Sequence, residues 1–232
     1  MAQAGLHAAA AYQLRHYIPY ERRLFPALIF GALLPDVDII VVAIGSIFFP
    51  ISESIDIFHR SFSHNFFTII ITYLIFAILS EIKKKPEIKS VGKGIALGIL
   101  THCVIDTFIW FSKIDILWPL PINAINLWHS WIIPNKLYNI LLMMEFFCFR
   151  WYAWFLITRH LANPGKRSWF IKYLNVWKSI ETYLVLLFII FIIWPPSSFH
   201  VLFAISYIPS LIMALYSTYI SRDTLEFEAK YN

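Results

Sequence analysis

The sequence predicts an all-α, polytopic membrane protein with about six spans, a short N-terminal helix, and a first span broken at Pro35. Three observations predict it. Apolar runs long enough to cross a bilayer recur along the 232 residues. Charge is scarce: Asp, Glu, Lys and Arg make up 14% of the chain and hydrophobic residues 59%, whereas soluble domains are about a quarter charged. The lysines and arginines also gather between the apolar runs, as they do in cytoplasmic loops of membrane proteins.

Residues 3–19 are alanine-rich and read as a short helix, because alanine is the best helix former. It is too short to span and is expected at the interface or tucked against the bundle. Arg15, Arg22 and Arg23 mark a basic boundary. The first span covers 24–49. A polar connection follows over 50–65, with Ser63 placed to cap the next helix. The span at 66–82 leads into Lys83, Lys84, Lys85, Lys89 and Lys93, expected as a cytoplasmic loop. The span at 94–112 carries His102 and Asp106. Residues 113–136 hold Trp118, Pro119, Pro121, Trp128, Trp131 and Pro134, a composition that suits an interfacial loop. A span at 137–158 precedes a second basic loop with Arg159, Lys166, Arg167, Lys172 and Lys178. Two last apolar segments, 181–194 and 200–220, flank Trp194-Pro195-Pro196.

Two spans separate the basic loops, so both loops fall on one side. Both termini are then cytoplasmic, in the inner membrane, and the connection with His59 and His64 lies outside. This leaves His7 on the wrong side unless the first helix inserts or the first span is re-entrant.

Pro35 and its two acidic neighbours hold the centre of the first span. A central Asp costs about 2.5–3.5 kcal/mol on insertion scales, so Asp36 and Asp38 together cost roughly 5–7 kcal/mol if unpaired. A positive partner is expected beside them: a metal ion, an arginine, or both. Proline pushes Leu34 from helical geometry and suits the first position of a new helix. Asp36 and Asp38 then sit in a first turn, where the helix dipole favours negative charge. In an unbroken helix they would point about 200° apart, and a break is the easier way to aim both at one place.

His102 and Asp106 are spaced i and i+4 and share one helical face. His59-Arg60-Ser61-Phe62-Ser63-His64 forms the second cluster. Its histidines are metal-ligand candidates, and Arg60 suits an anionic group. Oxygen and nitrogen ligands without cysteine suit a divalent zinc, manganese or iron, with zinc first. Counting His7, seven groups exceed one tetrahedral ion. Either two ions share them, or some groups orient ligands or act as a base.

The order His7, Gly31-Ala-Leu-Leu-Pro-Asp36-x-Asp38, His59-Arg60-x-x-Ser-His64, Thr-His102-x-x-x-Asp106 and Leu117-Trp118-Pro119 resembles the LexA-regulated bacterial inner-membrane proteins to which metal-dependent hydrolysis is ascribed. More distantly it resembles zinc-dependent phospholipase C-like proteins. Ser61, Ser63 and Asn65 depart from that family's Gly, Thr and Ser. The resemblance covers 1–120, the metal-site region; 121–232 adds helices to the same bundle. It implies His7, Asp36, His59, His64, His102 and Asp106 as ligands. It leaves Asp38 to bridge, orient a histidine or act as base, and Arg60 to hold a phosphate or carboxylate of a lipid or phosphoester substrate. A transporter or proton relay using the same buried groups, and a non-catalytic scaffold, are the alternatives.

Other classes are excluded or weak. The net charge of +5 sits in membrane-flanking loops and does not call for nucleic acid. Cys103 and Cys148 lie in apolar runs and suggest no disulfide framework. No P-loop, dinucleotide fingerprint or Gly-x-Ser-x-Gly elbow occurs. His16, His129, His160 and His200 lack a carboxylate at helical spacing, and Glu145 is expected to pair with Arg150.

Overall fold

Pro35 interrupts the first span in the computed structural model, which describes residues 4–109, 114–120, 134–162 and 168–231. Helix α1 is Ala4–Gln13. Helix α2, Leu24–Leu33, ends at a single 3-10 turn, Pro35–Val37, and α3, Asp38–Gly45, resumes the span. Leu34 keeps helical angles (φ −66°, ψ −40°), contrary to the expectation from its proline neighbour. The interruption is a local tightening, with Val37 N bonded to Leu34 O at 3.1 Å, and not an extended joint. A 3-10 turn advances each residue by about 120°, so Asp36 and Asp38 still face different ways.

The remaining elements are α4 (Ile51–Phe58), α5 (Phe66–Lys83), α6 (Pro86–Ile109), α7 (Asn135–Ala162), α8 (Ser168–Ile193), α9 (Phe199–Ile220) and α10 (Arg222–Tyr231). Among the described residues, six helices are long and apolar enough to cross a membrane, the broken α2–α3 pair counting as one. The all-α polytopic reading therefore holds.

Close backbone contact joins α2 to α6. A Cβ on Gly98 would lie 2.7 Å from the carbonyl carbon of Gly31, and one on Gly31 would lie 2.6 Å from Ile95 Cα. Glycines here let two backbones meet, as small residues do between membrane helices. Gly94, Gly98, His102 and Asp106 recur every four residues, so one stripe of α6 first packs and then presents chemistry.

Helix α1 inserts into the bundle. Ala4, Ala8 and Ala11 are wholly buried, and a Cβ on Gly5 would meet Cys148 and Phe149 of α7. Insertion places His7 inside the bundle and removes the conflict over its side. The apolar core runs from α1 and α2 through Phe146, Phe149, Trp177, Phe188 and Phe203. Helix α5 is peripheral, with Ser80 its buried residue. Its exposed isoleucines and leucines face lipid.

One end of the bundle is tied by ion pairs: Arg22 to Glu87 (2.5 Å), Arg23 to Asp223 (2.6 Å) and Lys93 to Glu21 (2.7 Å). The Lys93 ammonium beside Glu21 holds that carboxyl below its ordinary value.

Several boundaries differ from expectation. The polar connection contains α4. Asn65, whose side chain accepts from Thr68 N at 2.8 Å, caps α5 in place of Ser63. Lys89 and Lys93 ride on the first turns of α6, and Lys172 and Lys178 on α8, because both helices start well before their apolar runs. Trp128, Trp131, Pro121, His129, Lys166 and Arg167 lie outside the described residues.

Candidate metal centre

The stripe on α6 delivers His102 and Asp106 to the middle of the bundle. His102 stands sixteen residues after the first residue of α6, about 24 Å along the axis at 1.5 Å per residue. Its Nδ1 lies 2.7 Å from Ala32 O, at the crossing made by the glycines. A carbonyl only accepts, so Nδ1 carries the hydrogen and Nε2 faces inward.

Facing it is His64, just before α5. His64 Nε2 lies 3.0 Å from His102 Nε2. Ser63 Oγ donates to Asp38 Oδ2 at 2.8 Å, and His64 Nδ1 lies 2.8 Å from the same hydroxyl and 3.3 Å from Asp38 Oδ2. The hydroxyl's one proton is used on Asp38, so His64 Nδ1 is also a donor. With both rings neutral, their lone pairs would face one another across 3.0 Å. That contact is repulsive without a cation or a shared proton between them.

Carboxylates close around this pair. Asp36 Oδ1 is 3.4 Å from His102 Nε2 and 3.9 Å from His64 Nε2. Asp106 Oδ2 is 3.8 Å from each of the two nitrogens. His7 Nε2 reaches Asp106 Oδ1 at 3.0 Å, and its ring stacks on His102 at 3.7 Å. Ligands on a tetrahedral zinc with bonds of about 2.0–2.1 Å stand about 3.3–3.4 Å apart, so these separations bracket a coordination sphere. Among the described residues two triads have ligand geometry, Asp36–His64–His102 and His7–His102–Asp106, and they share His102. All five side chains are fully buried. Among the described residues neither oxygen of Asp36 accepts a hydrogen bond, His102 Nε2 standing 3.4 Å away. A buried carboxylate left this way is costly unless a cation meets it.

Asp38 serves the neighbouring layer. Its Oδ1 accepts from His59 Nδ1 at 2.9 Å, and its Oδ2 accepts from Arg60 N at 3.0 Å and from Ser63. The two acids of the motif thus serve adjoining points joined by His64, not one point. His59 stands beyond Asp38, its ring 5.7 Å from that of His64, and belongs to neither triad. Burial pushes its imidazole down to about 4, against the pull of Asp38. Burial, with His102 close by, also holds His7 below its ordinary value. Arg60 Nη2 lies 3.1 Å from Asp106 Oδ2, so this buried guanidinium balances that carboxylate. Its backbone is left-handed (φ 62°), whereas Ser61 is not, so the departure from glycine at 61 falls beside the strained residue and not on it.

Glu145 does not pair with Arg150. Five residues apart on a helix they diverge by about 140°. Glu145 Oε1 accepts from Gly5 N at 3.1 Å, holding the first turn of α1, while Arg150 donates to Thr182 at 2.9 Å. His160 bonds Ser221 at 2.9 Å and His200 packs edge-on to Tyr138, so both are structural. Sequence reasoning missed Ser63 and the Ala32 carbonyl as the groups that set the two rings. The only signal for Ser63 was its place next to His64.

No curated protein and no solved structure matches this chain. A family profile, described as YdjM inner membrane protein, matches residues 2–220. That match spans nearly the whole chain and agrees with six apolar membrane helices. The chain is a multi-pass bacterial inner-membrane protein and belongs to the YdjM inner membrane protein family.

Proposed function

We propose that the chain is a membrane-embedded, metal-dependent hydrolase of a phosphoester, built around His7, Asp36, His64, His102 and Asp106. The observation that carries this reading is the 3.0 Å approach of two Nε2 atoms, beside a carboxylate that accepts no hydrogen bond among the described residues. The two triads share His102, whose one inward lone pair on Nε2 serves a single ion, so they describe alternative seats for it, zinc first and manganese or iron next. A bound divalent cation supplies a Lewis acid that polarises the scissile ester and acidifies water.

The chain's own groups do the rest. Ala32 O on His102, and Ser63 with Asp38 behind it on His64, fix the two rings by their Nδ1 atoms, an arrangement that also raises ligand basicity. Asp38 and His59 act as positioning residues, since both oxygens of Asp38 are committed. Arg60 neutralises Asp106 and sets a guanidinium at the edge of the cluster, where an anionic oxygen can bind. The ion-paired basic end faces the cytoplasm by the positive-inside rule.

The test is elemental analysis of purified protein beside His102→Ala and Asp36→Ala, with chelator-sensitive cleavage of bis(p-nitrophenyl) phosphate as the activity. Stoichiometric metal that both variants lose is expected. Unchanged metal content in both variants ends this reading.

A second reading, a proton relay, is favoured by Glu145 and Glu181, buried carboxyls that each keep one oxygen without a hydrogen bond. Metal-independent proton uptake into proteoliposomes, abolished by Asp106→Asn, distinguishes it.

A further inference from the structure

A groove of about 290 Å³ lies between the break in the first span and the peripheral helix α5. Leu34, Val41, Ile99 and Thr72 line its sides, and Asp38 and Ser63 stand at its inner end. Those two residues are the ones that orient His64. The groove is therefore mostly apolar along its length, with the hydroxyls of Thr68 and Thr72 on the α5 wall and a carboxylate only where it meets the candidate centre.

Its depth and surroundings identify its occupant. Ile99 stands thirteen residues into α6, about 20 Å from the basic end, well within the hydrocarbon. Phe62 of the lining is exposed, as are Ile71 and Ile75 on the same helix as the Thr68 and Thr72 wall, in a helix bundle that sits in a bilayer. The groove is thus continuous with the lipid interface already established for this chain. Water-soluble molecules do not reach such an opening sideways, whereas an acyl chain already lies beside it. The inner end is polar: Ser63 and Asp38 stand there bonded to each other, with His64 behind them, so an anionic headgroup would meet the cation proposed for the His64 end.

We propose that this groove is a lateral entry for a membrane phospholipid, one acyl chain lying between Val41 and Thr72 and the phosphate directed at the His64 end. This rests on the hydrolase reading for what happens to the phosphate, but not for the seating of the chain. A soluble phosphoester would instead need an aqueous opening to the buried cluster. The lipid reading thus names the substrate class as an amphiphile taken from the bilayer.

The test uses the full chain in nanodiscs containing phosphatidylglycerol with a diazirine at the end of one acyl chain. After photolysis, peptides are mapped by mass spectrometry, and metal content is measured in the same samples. Preferential labelling of the 34–41 and 68–72 walls is expected, competed by excess unlabelled lipid. Thr72→Trp is expected to abolish it while labelling of the lipid-facing α8 residues Leu186 and Ile190 persists. Thr72 is part-exposed and faces the groove, so the variant is tolerated; Val41→Trp provides a second block from the opposite wall. Labelling that merely follows exposure, is not competed and survives both tryptophans overturns the proposal. Groove labelling without metal keeps the groove and defeats the hydrolase reading. Metal with uniform labelling does the reverse.

Discussion

Gly98→Ala tests the dependence of the centre on the α2–α6 crossing. The added Cβ would stand 2.7 Å from Gly31 C, a backbone atom that cannot rotate away. Ordinary carbon contacts begin at about 3.5 Å, so the two helices must part by roughly 1 Å at this point. Overpacking of this kind costs about 1–3 kcal/mol. The same displacement acts one turn further along α6, where His102 Nδ1 holds Ala32 O at 2.7 Å and Nε2 meets Asp36 Oδ1 at 3.4 Å. Loss of such an orienting bond lowers metal affinity about 10–100-fold. The assay is competition of the purified protein against a chelator of known affinity, with the unfolding temperature followed in parallel. Gly92→Ala is the control. Its Cβ would press on the Phe76 side chain of α5, away from the centre, so its metal affinity should equal that of the parent. A Gly98→Ala protein that folds and holds metal as tightly as the parent would refute the claim that this crossing sets the site.

Three further substitutions and one titration follow from the same contacts. Asp38→Asn removes the charge and turns one of the two oxygens that accept from His59, Arg60 N and Ser63 into a donor, and should lower metal affinity about 10–100-fold while metal still binds. Arg60→Ala leaves the buried Asp106 carboxylate short of its cation and should destabilise the protein by about 3–5 kcal/mol, read in a thermal-shift series. Glu145→Leu deprives Gly5 N of its acceptor and should cost about 1–3 kcal/mol, with faster proteolysis within α1. Acidification should weaken the metal-free fold through His59. The unfolded ring takes a proton near its ordinary value of 6.5 and the folded ring only at about 4. The contribution of His59 is therefore flat above pH 6.5 and is lost between 6.5 and about 4, by roughly 3 kcal/mol. His59→Phe should flatten that part of the pH profile of the unfolding temperature.

Much of the fold was legible because hydrocarbon imposes simple rules. Spans had to be long and apolar, and the lysines and arginines marked their ends. The pair His102 and Asp106 was legible through helical spacing alone. Helix starts were less so: Lys89, Lys93, Lys172 and Lys178 read as loop, yet they ride on helices that extend past their apolar runs. Helical hydrogen bonds do not require apolar side chains, so hydropathy underestimates such ends. The insertion of α1 was invisible to composition, because it depends on Glu145, 140 residues away from the Gly5 amide it accepts from. The division of labour between Asp36 and Asp38 was hidden for a related reason. It depends on a 3-10 turn, and proline predicts an interruption without saying which kind.

The docking of α1 on α7 has a consequence for biosynthesis. Asp36, His64, His102 and Asp106 leave the ribosome before α7, which supplies the Glu145 acceptor for the first turn of α1, exists. From Ile109, the last residue of α6, to Ala162, the last of α7, the chain grows by 53 residues, which takes about 3–10 s at roughly 5–20 residues per second. For that interval the acids lie in a half-made bundle whose first helix can rest on α2 and α6 but lacks its α7 side. A membrane chaperone or early cation capture that shields them during those seconds would set the yield of the protein, independently of how stable the finished bundle is.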